Sequence, residues 1–163
     1  MKFAYADPPY PGCAHFYPEN TEVDHGQLIA DMNDGFPDGW ALSTSSVALQ
    51  QVLPLCPDDV RVMAWVKPFA SFKPNVNPAY AWEPVIVRGG RKRTREQLTV
   101  RDWVSVVITL RKGLVGAKPP GFCQWLFDVL NVEDDDEMVD LYPGTGIVTR
   151  EFDRRIATPA LFR

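Results

Sequence analysis

The order of apolar and polar positions lays out alternating strands and helices along the chain. Phe3 and Tyr5, spaced by the small Ala4 and Ala6, read as a short strand. Pro8 and Pro9 stop it, because proline donates no ladder hydrogen bond and fixes φ. Residues 21–33 read as a helix with Leu28, Ile29 and Met32 on one face, ended by Asn33, Asp34 and Gly35. Gly39 to Ser43 is a second strand. Thr44, Ser45 and Ser46 offer an N-cap to a helix that carries Val47, Leu49, Val52 and Leu53 and stops at Pro54. Arg61 to Val66 is a third strand, apolar on both faces as a covered central strand would be. A proline- and asparagine-rich loop, 68–78, precedes a fourth strand, Tyr80 to Val87, in which Pro84 must sit where no N–H is needed. The pattern over 102–110 fits a further strand. Pro119 and Pro120 then open a helix whose Phe122, Trp125, Leu126, Val129 and Leu130 recur at the spacing of one helical face. Met138 to Tyr142 is a last buried-type strand. The turn Pro143-Gly144-Thr145-Gly146 leads from it into a helix carrying Ile147, Val148, Phe152 and Ile156.

Strands alternating with helices predict an α/β fold with a mostly parallel sheet and one antiparallel strand. At 163 residues the chain reads as a single domain, 1–163, with enough apolar residues (45%) to bury a core. No apolar run approaches the length of a membrane span and the start has no signal-peptide pattern, so the cytoplasm is the expected location. Cys13, Cys56 and Cys123 are odd in number and far apart, which excludes a disulfide framework. Cys13, His15 and His25 match no common zinc spacing, so no metal is expected.

The net charge of −4 conceals two opposed runs. Arg88, Arg91, Lys92, Arg93, Arg95 and Arg101 stand against the single acid Glu96, while Glu133 to Asp140 holds six acids. A basic stretch in an acidic chain is the footprint of a polyanion partner. Two strand ends carry candidate chemistry. Asp7 follows the first strand, and ligands of open α/β sheets sit outside the carboxyl ends of strands. Its carboxylate, the Pro8 carbonyl and the ring of Tyr10 suit a flat, amino-bearing group, with Pro9 stiffening the loop. The other is the glycine turn, where the backbone admits a ligand and a helix N-terminus favours a carboxylate or phosphate.

Asp7-Pro8-Pro9-Tyr10, then Lys118-Pro119, then Asp140-Leu141-Tyr142-Pro143-Gly144-Thr145-Gly146, resembles the S-adenosylmethionine-dependent amino-methyltransferases of DNA. The match is to the permuted order, in which the catalytic motif precedes the cofactor glycine motif. Trp82-Glu83-Pro84-Val85-Ile86-Val87 is similar to a strand that lies between them in that family. The resemblance implies a Rossmann-like class I methyltransferase fold, permuted and short at its C-terminus. It implies that Asp7 and the Pro8 carbonyl accept from the target amino group while Tyr10 stacks on a base flipped from the duplex. It assigns Ala6, Asp7, Lys118, Pro119, Asp140, Tyr142, Gly144, Thr145 and Gly146 to the cofactor. An acid in first position is similar to the adenine-N6 enzymes, while cytosine N4, RNA adenine and a non-catalytic binding module remain the alternatives. The segment 88–113 occupies the target-recognition slot, and its Arg88, Arg91, Lys92, Arg93 and Arg95 are the expected phosphate contacts, with DNA as partner and a homodimer as a candidate arrangement. The family continues past the last helix into a strand ending in a ribose-binding acid. The tail 157–163 has no acid, so that anchor is expected to be missing or to come from Asp153, another loop or a second subunit.

Overall fold

Strand β1 (Lys2–Ala6) buries side chains on both of its faces, and such a strand requires a sheet covered on two sides. Phe3 and Tyr5 join the core beneath helices α3 (Pro120–Leu130) and α4 (Ile147–Ala157). Ala4 and Ala6 join the core beneath α1 (His25–Gly35). The computed structural model describes residues 1–17, 20–68, 76–108 and 117–158. Its other strands are β2 (Gly39–Ser43), β3 (Arg61–Val66), β4 (Trp82–Gly89), β5 (Trp103–Ser105) and β6 (Glu137–Asp140). All six form one sheet in the order β5-β3-β4-β2-β1-β6. β1 is parallel to β2 and β6, and β3 to β5, while β4 alone runs antiparallel to both neighbours. This is the mostly parallel sheet with one reversed strand that the sequence predicts.

Two features fix the course of β4. Pro84 lies one residue beyond the β2 ladder, which ends at Ser43 opposite Val85, so its missing N–H leaves no strand partner unmet. Its carbonyl still accepts from the Thr44 N–H at 3.1 Å. At the other end Gly89 and Gly39 cross closely. A Cβ on Gly89, at φ +68°, would lie 2.8 Å from the Asp38 carbonyl oxygen, and one on Gly39 would lie 2.5 Å from the Gly90 nitrogen. Only glycines fit there.

Helix α3 supplies most of the core on its side. The Phe122 ring lies 5.8 Å from Tyr5, 5.3 Å from Trp65 and 5.7 Å from Trp125, centroid to centroid. Burying a ring of that size contributes about 2–3 kcal/mol. The helix stripe is wider than the sequence predicts, since Cys123 and Phe127 are buried as well.

Several boundaries differ from expectation, each for a local reason. Helix α1 starts at His25, not 21, because the Asp24 side chain caps it by accepting from the Gln27 N–H at 3.0 Å. The helix expected after Thr44 shrinks to α2 (Leu49–Val52), since Ser45 Oγ accepts from the Ala48 N–H at 3.0 Å and spends residues 46–48 on a turn. Pro54 sits inside the 3-10 turn Leu53–Leu55 that follows. Strand β3 is not covered on both faces: Met63 and Trp65 are buried but Val62 is 40% exposed. The strand expected over 102–110 is the short edge β5, and 109–110 lie outside the described residues, as do 69–75 of the loop before β4. β6 ends at Asp140, leaving Leu141 and Tyr142 in the bend beyond it.

Candidate active site

Asp7 follows the carboxyl end of β1 directly, and Pro8 and Pro9 stiffen the exit. Its carboxylate is 20% exposed and accepts from the Lys118 ammonium at 2.8 Å, Nζ to Oδ2. Lys118 precedes Pro119, the residue that opens α3, and its side chain is only 4% exposed. The same ammonium donates to Glu83 Oε2 at 3.3 Å. Glu83 stands on β4, and its Oε1 accepts from Lys67, just past β3. The Tyr10 hydroxyl donates to Glu83 Oε2 at 3.2 Å and more weakly to Asp7 Oδ1 at 3.4 Å. The result is an alternating chain of charge, Asp7–Lys118–Glu83–Lys67, seated on aromatic rings. Lys67 lies 4.9 Å and Lys118 5.4 Å from the Trp65 centroid.

Burial pushes the Asp7 carboxyl above its ordinary value, with Lys118 opposing but not cancelling the rise. Burial acts the same way on Glu83, yet Lys118 and Lys67 together outweigh it and hold that carboxyl low. Burial alone would discharge Lys118, but Asp7 and Glu83 hold its ammonium above the usual range and keep it charged. Tyr10 is pushed well up, first by burial and then by the two carboxylates, so it remains a neutral donor. One consequence is specific to atoms. Oδ2 of Asp7 is committed to Lys118, whereas Oδ1, touched only by the long Tyr10 contact, can accept from an incoming N–H.

The glycine turn lies beside this network because the first and last strands are neighbours. Tyr5 stands opposite Asp140, and the Leu141 N–H donates to the Tyr5 carbonyl at 2.9 Å. Asp140 accepts from the Tyr142 N–H at 3.3 Å and pairs with no cation among the described residues. Its pKa rises to about 6, mainly by burial, with the Tyr142 hydrogen bond lowering it and the charge of Asp7 raising it. Gly144 and Gly146 take left-handed backbone, φ +45° and +68°. A Cβ on Gly144 would meet nothing nearer than the Tyr142 carbonyl oxygen at 3.9 Å, so the turn is open where a ligand would lie. Gly146 caps α4, whose N-terminus therefore opens at the same edge as Asp7.

A carboxyl whose folded pKa is raised from 3.8 to about 6 costs stability as pH climbs through that window. Asp140→Asn is therefore expected to raise the melting temperature at pH 8 and to change it little at pH 4. Thermal scans at the two pH values check the prediction, and an equal shift at both would contradict it.

The other expected cofactor positions fall around this edge. Ala6 is fully buried, so only its backbone can meet a ligand, and Thr145 offers a carbonyl already bonded by Arg150 at 2.5 Å. Pro119 is buried at the start of α3. Asp153 is not at the site: it is exposed on α4 seven residues past Gly146, about 10 Å along the helix axis.

The basic residues are not brought to Asp7. β4 runs against its neighbours, so residues after Gly89 emerge at the amino edge, a strand length of about 17 Å away. Arg88 is paired with Asp59 at 2.8 Å and also donates to Asn33 at 3.2 Å. Arg91 grips both oxygens of Asp136, at 2.7 and 2.9 Å, with Glu133 at 3.3 Å. Arg93 donates to the carbonyls of Leu98 and Asp128, and Lys92 and Arg95 are exposed. The expected recognition segment thus begins at the far edge, and its residues 109–113 lie outside the described residues.

Glu83 and Lys67 were not predicted as site residues. The available signal was alternation along β4: Glu83 shares a face with the buried Val85 and Val87, and an acid on a buried face requires a partner. Among the described residues no group of three or more His, Cys, Asp or Glu could hold a metal, and no helix is long and apolar enough to cross a membrane.

No protein-family model matches the sequence, and no curated protein matches it. Solved structures do. The crystal structure of the M1.HpyAVI–SAM complex is similar at a TM-score of 0.61 and 13% identity, covering 96% of this chain and 78% of that one. The crystal structure of M1.HpyAVI is similar at 0.61 and 11% identity, over 96% and 76%. At these identities the likeness is one of fold, and this chain has a Rossmann-like α/β fold of the methyltransferase kind.

Proposed function

We propose that the chain transfers a methyl group from S-adenosylmethionine to the N6 amino group of adenine in DNA, in the permuted motif order. The observation that carries this reading is the β1–β6 pairing, which sets the Asp7 loop beside the glycine turn at one edge of the sheet. The likeness in fold to a SAM complex supports the cofactor. The residues suit it. Asp140, a partly buried carboxylate with no cation partner among the described residues, matches an ammonium, and the open turn over the α4 N-terminus matches a carboxylate.

When bound, S-adenosylmethionine supplies a methyl group already activated by its sulfonium. Lys118 holds Asp7 Oδ2 and so orients the carboxylate. Asp7 Oδ1 and the Pro8 carbonyl accept the two hydrogens of the target amino group, which turns the nitrogen lone pair outward. Tyr10 exchanges its bonds to Glu83 and Asp7 for stacking on the base. The proton released from the nitrogen after transfer passes to Asp7 Oδ1, whose raised pKa suits it to hold a proton briefly. Positioning supplies most of the rate. The acid at Asp7 supports adenine as acceptor.

Calorimetric titration with S-adenosylmethionine tests the reading on the wild type and on Gly144→Trp, which fills the open turn. Binding that weakens about tenfold or more in the variant, about 1.4 kcal/mol, is expected. Mass analysis of nucleosides from treated DNA then separates N6-methyladenine from N4-methylcytosine. Absence of binding, with or without DNA, would overturn the proposal.

A further inference from the structure

The amino edge of the sheet holds a cavity of about 380 Å³ lined by Arg61, Arg91, Arg93, Arg95 and Arg101. Four of these come from the basic run after β4, and Arg61 opens β3. Asp102 is the one acid in its wall, and it pairs only loosely with Arg61, at 3.6 Å with both side chains exposed. Arg91 is neutralised by Asp136 and Glu133. The charges of Arg93, Arg95 and Arg101 are not. Arg93 is held by two neutral carbonyls, Arg101 lies over the Trp103 ring at 5.3 Å, and Arg95 pairs with no carboxylate among the described residues. Thr94 and Thr99 add hydroxyl donors to the same wall.

Uncompensated guanidinium groups gathered in a concavity repel one another and focus a positive field, in a chain whose net charge is −4. Their planar donor forks match phosphate oxygens in pairs. Met63, Val100 and Val129 add an apolar part to the wall, so it is the arginines that set the charge of whatever binds there. The position of the cavity decides its role. It lies at the opposite edge of the sheet from Asp7, a strand length of about 17 Å along the strands and three strands across, so a group bound there is remote from the reaction edge.

We propose that this cavity binds a backbone phosphate of nucleic acid and serves as a sequence-independent tether distinct from the reaction edge. The choice of nucleic acid among polyanions rests on the proposed function; the anion site itself does not. Neutralising phosphates releases counterions, so affinity falls steeply with salt, and each lost arginine contact lowers the steepness by about one.

The test is fluorescence anisotropy of a labelled duplex of about 30 base pairs across a salt series, with Arg95→Ala/Arg101→Ala against wild type. The double variant is expected to bind about tenfold more weakly or worse at low salt, with a slope shallower by about two, whatever the duplex sequence. Arg154→Ala, an exposed arginine on α4, is the control for diffuse charge. Unchanged affinity and slope in the double variant would overturn the tether, as would an equal loss in the control. A titration with inorganic phosphate completes the comparison: phosphate binding without duplex binding would make this a free-anion site and also overturn the proposal. Calorimetry with S-adenosylmethionine on the same proteins separates the two proposals. Failure of cofactor binding alongside an intact arginine effect would remove the methyl-transfer reading and leave the tether standing.

Discussion

Replacing Lys118 with methionine is expected to lower stability by about 3–5 kcal/mol, the cost of breaking a buried ion pair from one side. The ammonium is 4% exposed and bonded to Asp7 and Glu83, whose carboxylates are 20% and 17% exposed. Methionine matches the length but leaves Asp7 with no cation. Glu83 keeps Lys67, so the unpaired charge falls mainly on Asp7. For a chain of this size the loss corresponds to a drop in melting temperature of about 10 °C. Its pH dependence identifies the cause. Asp7 already has a raised pKa, which rises further without Lys118, so the folded variant takes up a proton more readily than the unfolded chain. The deficit should be greatest near pH 8, shrink as pH falls through the raised pKa of Asp7, and be smallest below about pH 4, where Asp7 is protonated in both states. Adding Asp7→Asn to Lys118→Met should restore part of the stability, and this double-mutant cycle isolates the pair from the packing of the lysine stem. Equal deficits at both pH values, with no rescue, would mean that the stem and not the charge stabilises the fold.

How much of this was legible in the sequence depends on whether the feature is local. The period of α3, with Phe122, Trp125 and Leu126 on one face, is a property of a few turns and emerged as expected. So did the strand from Phe3 to Ala6 and its abrupt end at Pro8. The joining of Asp7 to Asp140 required the first strand to pair with the last, and no periodicity encodes which strands become neighbours; there the motif resemblance carried the inference. The direction of β4 decided the fate of the arginines. Read along the chain, Arg88 to Arg101 sits between two halves of a site, but antiparallel entry of β4 delivers it to the far edge. The same strand hid Glu83, because the residues that make an acid tolerable on a buried face, Lys67 and Lys118, lie 16 and 35 positions away. The start of α1 failed for a smaller reason: Asp24 is the capping residue that settles in the structure, and the preceding polar positions carried no signal to rank it above them.

Under the proposed function, Asp7→Asn is expected to reduce methyl transfer by about 10³-fold while cofactor affinity stays within about threefold, since removing one preorganised polar contact to a reacting group costs 10² to 10³. The substitution keeps the shape of the side chain, so the loss must come from its hydrogen-bonding polarity. Lys118 decides that polarity. Its buried ammonium is a donor only, and it demands an acceptor at 2.8 Å, so the amide oxygen takes the place of Oδ2. The amide NH2 then occupies the Oδ1 position and points a donor at the target amino group, which also donates. The nitrogen lone pair is no longer localised, and the group that receives the departing proton is gone. The proposed cofactor positions, the glycine turn and Asp140, are untouched, so cofactor binding is expected to survive. Single-turnover measurement with saturating S-adenosylmethionine reads the chemical step directly, and calorimetry reads the binding. The pH profile adds an independent mark. The wild-type rate should fall on the acid side as Asp7 protonates, at a pH above that of an ordinary aspartate because burial raises its pKa. That limb should be missing from the residual activity of the variant. A variant that turns over at the wild-type rate, or one that retains the acid limb, would show that the proton and the amino group are handled elsewhere.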